Sequence, residues 1–129
     1  MMNAHLIFLA DEIGMASVFP QLRDKLAGDP NIMITLLYYL HKDNFLFQKE
    51  LDILEKHFPV RLYVCYEVFD TGATVVLNQG SIEAVINANT HTVINCIVSA
   101  SQSFTENAIN LLRFLGIEDI TIQEQFFSY

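Results

Sequence analysis

Short apolar runs rich in β-branched and aromatic residues alternate along this chain with longer stretches whose apolar positions recur every three or four residues. That alternation is the pattern of repeated βαβ units around a mostly parallel sheet. A first strand is predicted over residues 5–10, and its apolar run breaks into Asp11-Glu12-Ile13-Gly14-Met15-Ala16-Ser17. A helix follows over 15–27 with Val18, Leu22 and Leu26 on one face, stopped by Gly28-Asp29-Pro30. Residues 32–39 are apolar at both alternating sets of positions, as expected of a strand covered by helices on each side.

Asn44 is expected to cap a second helix running to His57, in which Phe47, Leu51 and Leu54 share a face and Pro59 lies just past the end. Phe45 and Phe58 extend that stripe of core packing. A third strand is predicted over 61–66, and the run 73–77 reads as either an edge strand or an irregular connection. Ser81 is expected to cap a short helix over 81–89, with Glu83 in its first turn. A fourth strand over 92–98 leads through Ser99-Ala100-Ser101 to a helix over 104–115, whose start is set by the capping-box spacing of Ser103 and Glu106. Gly116 ends that helix, residues 120–122 supply a fifth strand, and an aromatic tail follows. The expected fold is α/β: a three-layer αβα sandwich, Rossmann-like, with a five-stranded, mostly parallel sheet in the order 3-2-1-4-5.

Composition narrows the functional classes. The 129 residues, 52% of them apolar, fit one domain over the whole chain, 1–129. Fifteen acidic against seven basic side chains give a formal charge of -8, which opposes contact with phosphate backbones or anionic lipid, so neither a nucleic acid nor a membrane is an expected partner. No apolar run reaches the ~20 residues a spanning helix needs, and the amino terminus lacks a basic segment before its apolar run, so a cytoplasmic location is expected. Cys65 and Cys96 sit inside apolar strand-like runs as small hydrophobes, and His5, His41, His57 and His91 lack the paired spacing of a metal site, so no metal is expected.

The candidate chemistry concentrates in the first strand-to-helix turn. In an open parallel sheet a nucleotide's phosphates sit there, because glycines let the backbone approach and the helix N-terminus is electropositive. Asp11 and Glu12 stand where glycines would be expected. As cation ligands or amine-recognition groups they would be functional; otherwise they are solvated turn residues.

The chain resembles the C-terminal pyridine-nucleotide-binding domain of the ferredoxin-NADP reductase family over nearly its whole length. The turn from Ala10 to Ser17 lies where that family has Ala-Gly-Gly-Thr-Gly-Ile-Ala-Pro, and the segment from Phe45 to Leu51 is similar to its Leu-Phe-x-x-Glu-Leu. Ser99-Ala100-Ser101 falls where the family has Cys-Gly-Pro, with Phe104 in place of its Met, and Leu111-Leu112 with Leu115-Gly116 match its helix end. Ile122, Glu124 and Phe126 resemble its last strand and trailing aromatic.

The resemblance implies that Asp11, Glu12, Gly14 and Ser17 border the pyrophosphate of NAD(P)H. It also implies that Ser99 is the small polar group beside the nicotinamide, flanked by Ala100, Ser101 and Phe104, and that Phe126 covers a flavin ring. The departures weaken that picture. Two carboxylates ~5 Å from a dianionic pyrophosphate, at an effective dielectric of about 20, would each repel a unit charge by roughly 3 kcal/mol, or about two orders of magnitude in affinity. Leu40 or His41 replaces the family's Arg and Glu67 its Ser, and both changes remove a phosphate partner.

The family's flavin-binding barrel has no room in this length, so FAD enters only through another domain or chain. Two functions follow as expectations. One is an oxidoreductase module passing hydride from NAD(P)H to a flavin or electron-transfer partner, with weakened or lost nucleotide binding. The other is a non-catalytic binding or assembly unit, in which Phe126, Phe127 and Tyr129 suit a partner surface or a contact in a homo-oligomer.

Overall fold

The structure, a computed structural model, describes residues 4–87 and 93–123. Alternating elements run β1 (Ala4–Asp11), α1 (Met15–Gly28), β2 (Met33–His41), α2 (Gln48–His57), β3 (Leu62–Phe69), α3 (Gln79–Asn87), β4 (Val93–Ser99), α4 (Gln102–Phe114) and β5 (Ile120–Ile122). All four pairings are parallel and the sheet order is β3-β2-β1-β4-β5, the topology read from the sequence. The segment 73–77 joins β3 to α3 as an irregular connection rather than an edge strand.

The period-2 alternation of the central strands divides the core into two layers. Leu6, Phe8 and Ala10 of β1, with Ile34, Leu36 and Tyr38 of β2, pack beneath α1 and α2 through Val18, Leu22, Leu26, Leu51 and Leu54. Ile7 and Leu9 point the other way, joining Leu37, Tyr39, Cys96 and Val98 beneath Ile82 of α3 and Ala108 and Leu112 of α4. At ~25 cal/mol per Å², each fully buried Leu or Ile contributes roughly 2 kcal/mol, so both faces of β1 and β2 are strongly specified. The edge strand β3 keeps only Leu62 fully inside.

Three helix starts differ from expectation, each because a side chain has a better partner. Asn44 does not cap α2: its amide donates to Glu12, and the helix begins at Gln48 after Phe47, which takes a left-handed φ of 66°. Phe47 stacks on Phe19 with ring centroids 5.5 Å apart, while Phe45 is left exposed. Asn78 replaces Ser81 as the cap of α3, its Oδ1 accepting the Ser81 N–H at 3.2 Å. Helix α4 starts two residues early, with Ser101 at its N-cap position and Ser103 inside the first turn. The capping box therefore does not form, and Gln102 Nε2 donates to Glu106 Oε1 at 3.4 Å.

Candidate functional site

Strands β1 and β4 lie side by side, yet the chain leaves them toward opposite edges of the sheet. Their carboxyl ends thus form a topological switch point, where open α/β sheets place their ligand crevices. A cleft of about 440 Å³ opens there. Its floor is the β1–α1 turn, one wall is the first turns of α4, and its roof is the connection carrying Thr74, Val75 and Leu77.

The floor is tied by Asp11. One carboxylate oxygen accepts the N–H groups of Ile13 (3.0 Å) and Gly14 (2.9 Å), and the other accepts the N–H of Ser101 at 3.0 Å. A single buried carboxylate thus satisfies backbone donors at the approaches to two helix N-termini, α1 and α4. These are donors of the kind that hold an anion at such a switch point. The geometry requires Gly14, because a Cβ there would overlap the carbonyl of Ser99. Asp11 is thus a buried group bonded within the fold rather than a solvated turn residue.

Glu12 is engaged as well. One oxygen accepts the His41 Nδ1–H at 2.6 Å and the His41 backbone N–H at 3.3 Å, and the other accepts from the Asn44 amide. His41 Nε2 lies 2.7 Å from the carbonyl of Ala73. Both ring nitrogens therefore face acceptors, an arrangement only the doubly protonated ring satisfies. The Ala73 carbonyl first, then the bond and charge of Glu12, raise the His41 pKa above the ordinary imidazole value of 6.5. In its protonated form His41 offsets part of the negative charge of Glu12 at the cleft.

Ile13, Val75, Leu77 and Phe104 give the cleft apolar walls, with Thr74, Ser101, Ser103 and Asn107 as polar positions. Phe104 is fixed edge-on against Tyr39, ring centroids 5.0 Å apart. Among the described residues no Lys or Arg borders the cleft.

Of the candidates from the sequence, Asp11, Glu12, Ser101 and Phe104 come together on this cleft. Gly14 and Ala100 are buried in the turns that support it. Ser99 is 0% exposed, lies beneath the cleft rather than along it, and its hydroxyl has no hydrogen-bond partner among the described residues. Ser17 is not among the residues lining the cleft; its N–H donates to the Gly14 carbonyl and its own carbonyl accepts from Gln21 Nε2. Phe126, with Phe127 and Tyr129, lies outside the described residues.

His41, Asn44, Thr74 and Asn107 were missed as site groups. The available signals were, for His41, its position at the carboxyl end of a strand and, for Asn107, its place early in a predicted helix; Asn44 and Thr74 come from connections whose placement depends on tertiary contacts. Cys96 is buried, and burial followed by the Asp119 charge pushes its thiol up to about 12, so it behaves as a core residue. Among the described residues no cluster of His, Cys, Asp and Glu is placed to hold a metal, and no helix is long and apolar enough to cross a membrane.

The fold is that of ferredoxin-reductase-like domains. It is similar to the CS-b5R domains of human Ncb5or in their NAD+ form (TM-score 0.79, 18% identity), covering 93% of this chain and 36% of that one. It is similar to flavohemoglobin from Malassezia yamatoensis with bound FAD and heme (TM-score 0.73, 17% identity, 94% of this chain and 31% of that one). A mutant of ferredoxin-NADP+ reductase from Plasmodium falciparum in complex with 2′P-AMP also matches (TM-score 0.67, 19% identity, 92% of this chain and 51% of that one). The chain thus spans about a third to a half of the length of these proteins. No family model and no curated protein matches it.

Proposed function

We propose that this chain is an oxidoreductase-type pyridine-nucleotide module in which the phosphate position is taken by its own carboxylate, so that NAD(P)H binding is weakened or lost. The fold supports this reading, as do the NAD+ and 2′P-AMP named with its structural neighbours. The observation that carries it is Asp11, whose two oxygens hold three backbone N–H groups at the switch point. An incoming pyrophosphate must displace that carboxylate and lose the donors it now holds, in a cleft bordered by no Lys or Arg among the described residues.

In such a module hydride would pass to a flavin carried by another domain or chain, consistent with the FAD named for the flavohemoglobin. A second reading, a non-catalytic binding or assembly unit that keeps the fold, is favoured by the same internal bonds, because they complete the turn without a ligand. Thermal-shift titration with NADH and NADPH separates the two when the unmodified chain and Asp11→Gly are compared. Under the first reading the unmodified chain shows weak saturable stabilisation and Asp11→Gly binds tightly, at sub-millimolar nucleotide. No shift in either protein at several millimolar removes the nucleotide module and leaves the binding unit.

A further inference from the structure

One side chain ties the cleft roof to its floor by hydrogen bonds. His41, at the end of β2, reaches Glu12 of the β1–α1 turn with Nδ1 (2.6 Å) and the Ala73 carbonyl of the β3–α3 connection with Nε2 (2.7 Å). Ala73 adjoins Thr74 and Val75, two of the three roof residues. Val75 and Leu77 of the connection pack against the layer beneath α3 and α4, Ala73 N–H donates to the Asp70 carbonyl at its base, and Asp70 pairs with Lys42 at 3.3 Å through side chains that are both largely exposed. Such an exposed pair, screened by solvent, contributes little.

We propose that His41 is a proton-operated latch: its imidazolium ties the roof at Ala73 to the floor at Glu12, and loss of one ring proton lets the 73–77 connection lift and the cleft open. The reason is the hydrogen-bond inventory. A neutral imidazole has one N–H and one lone pair, so one of its two acceptors would face a lone pair across a distance suited to a hydrogen bond. Glu12 is fixed from two sides, by the His41 backbone N–H and by Asn44, so it retains the remaining proton. The Ala73 carbonyl is the partner that is lost.

The charged groups facing the ring are Glu12 from the β1–α1 turn and Asp43 from the turn after β2, and both favour the imidazolium. From the β3–α3 connection the ring meets the Ala73 carbonyl. The ring is about a quarter exposed, so the proton exchanges freely with solvent. The latch sits on the cleft assigned above, but its behaviour does not depend on what that cleft binds.

The test is a pH titration of the ligand-free, full chain from pH 5 to 9 by two-dimensional NMR. The His41 ring nitrogens are followed together with amide shifts and hydrogen exchange at residues 73–77. At low pH both ring nitrogens should carry protons. As His41 titrates, the amides of 73–77 should shift along the same curve and lose exchange protection relative to those of β1. In His41→Gln the same amides should be less protected at low pH and no longer follow that curve. A singly protonated ring at pH 5, or a His41 titration that leaves the amides of 73–77 unchanged in the unmodified chain, overturns the latch. Because no nucleotide is added, either result is independent of whether the chain binds NADH or NADPH.

Discussion

The two ends of helix α1 use the same device with opposite charge. At its start Asp11 collects three backbone N–H groups; past its end Arg61 collects backbone carbonyls of Leu26 and Ile32, at 3.0 and 3.2 Å, and that of Asp29. Each charge matches the end of the helix dipole it faces, and each satisfies groups that a helix end leaves unpaired. The difference is location. Arg61 sits at the amino edge of the sheet, stacked over Phe58 at 5.2 Å, and is not among the residues lining the candidate cleft. Asp11 sits at the carboxyl edge, on the floor of the cleft and under the two helix N-termini that could hold an anion. A similar structural bond therefore lies away from the candidate cleft at one end and on its floor at the other.

The largest effect that tests this comparison comes from Gly14→Ala, which drives a methyl group into the Ser99 carbonyl. We expect a loss of about 3 kcal/mol or more, because overpacking against backbone has little room to relax. Thermal unfolding should fall by roughly 10 °C, and an unchanged midpoint would mean the two turns are not in contact.

Asp11→Asn comes next. Its amide oxygen still accepts from Ile13 and Gly14, but its NH2 meets the Ser101 N–H donor to donor, a cost of about 2 kcal/mol by denaturant unfolding. Arg61→Ala should cost less, about 1 kcal/mol, since its carbonyls are partly solvated and water replaces the guanidinium. The sharper contrast is in binding. Asp11→Gly should gain affinity for NADH or NADPH and Arg61→Ala should not, so equal behaviour of the two variants in a thermal-shift titration would dissolve the distinction between the ends.

A smaller effect is set by pH. The His41 pKa is raised on folding, so its contribution to stability is fully present below the ordinary value of 6.5 and is lost as pH rises through the raised folded value. Unfolding midpoints of the unmodified chain and His41→Gln should therefore differ most near pH 6 and converge on the alkaline side. A gap that widens with pH would reverse the assignment. Ser99→Ala should change least, within about 0.5 kcal/mol of neutral or slightly stabilising, because it removes a buried hydroxyl that has no partner. If hydride transfer is ever measured with a flavin partner, a large loss in that variant would restore a chemical role to Ser99.

Much of the architecture was legible in the residues. The two-sided apolar run at 32–39, helical spacing at Val18, Leu22 and Leu26, and breakers such as Gly28-Asp29-Pro30 are local signals, set by hydrophobic period and backbone sterics. They were sufficient to lay out five strands and to mark the turn 10–17 as a candidate crevice, while residues 99–104 were singled out by the family resemblance. The helix starts were less legible, because Asn44 and Ser103 each satisfy a local capping rule that a distant or competing partner overrides.

The charges at the crevice were the least legible. From the chain alone, Asp11 and Glu12 read as two negative charges exposed to a ligand, since nothing local reveals that Ser101, ninety residues on, donates to one of them. Nor does it reveal that His41 and Asn44, about thirty residues on, hold the other. Sequence determined which elements form and in what order they pair, because propensity and hydrophobic period act over a few residues. Tertiary structure decided what the carboxylates do, because a buried charge takes its meaning from the donors that folding brings within hydrogen-bond reach.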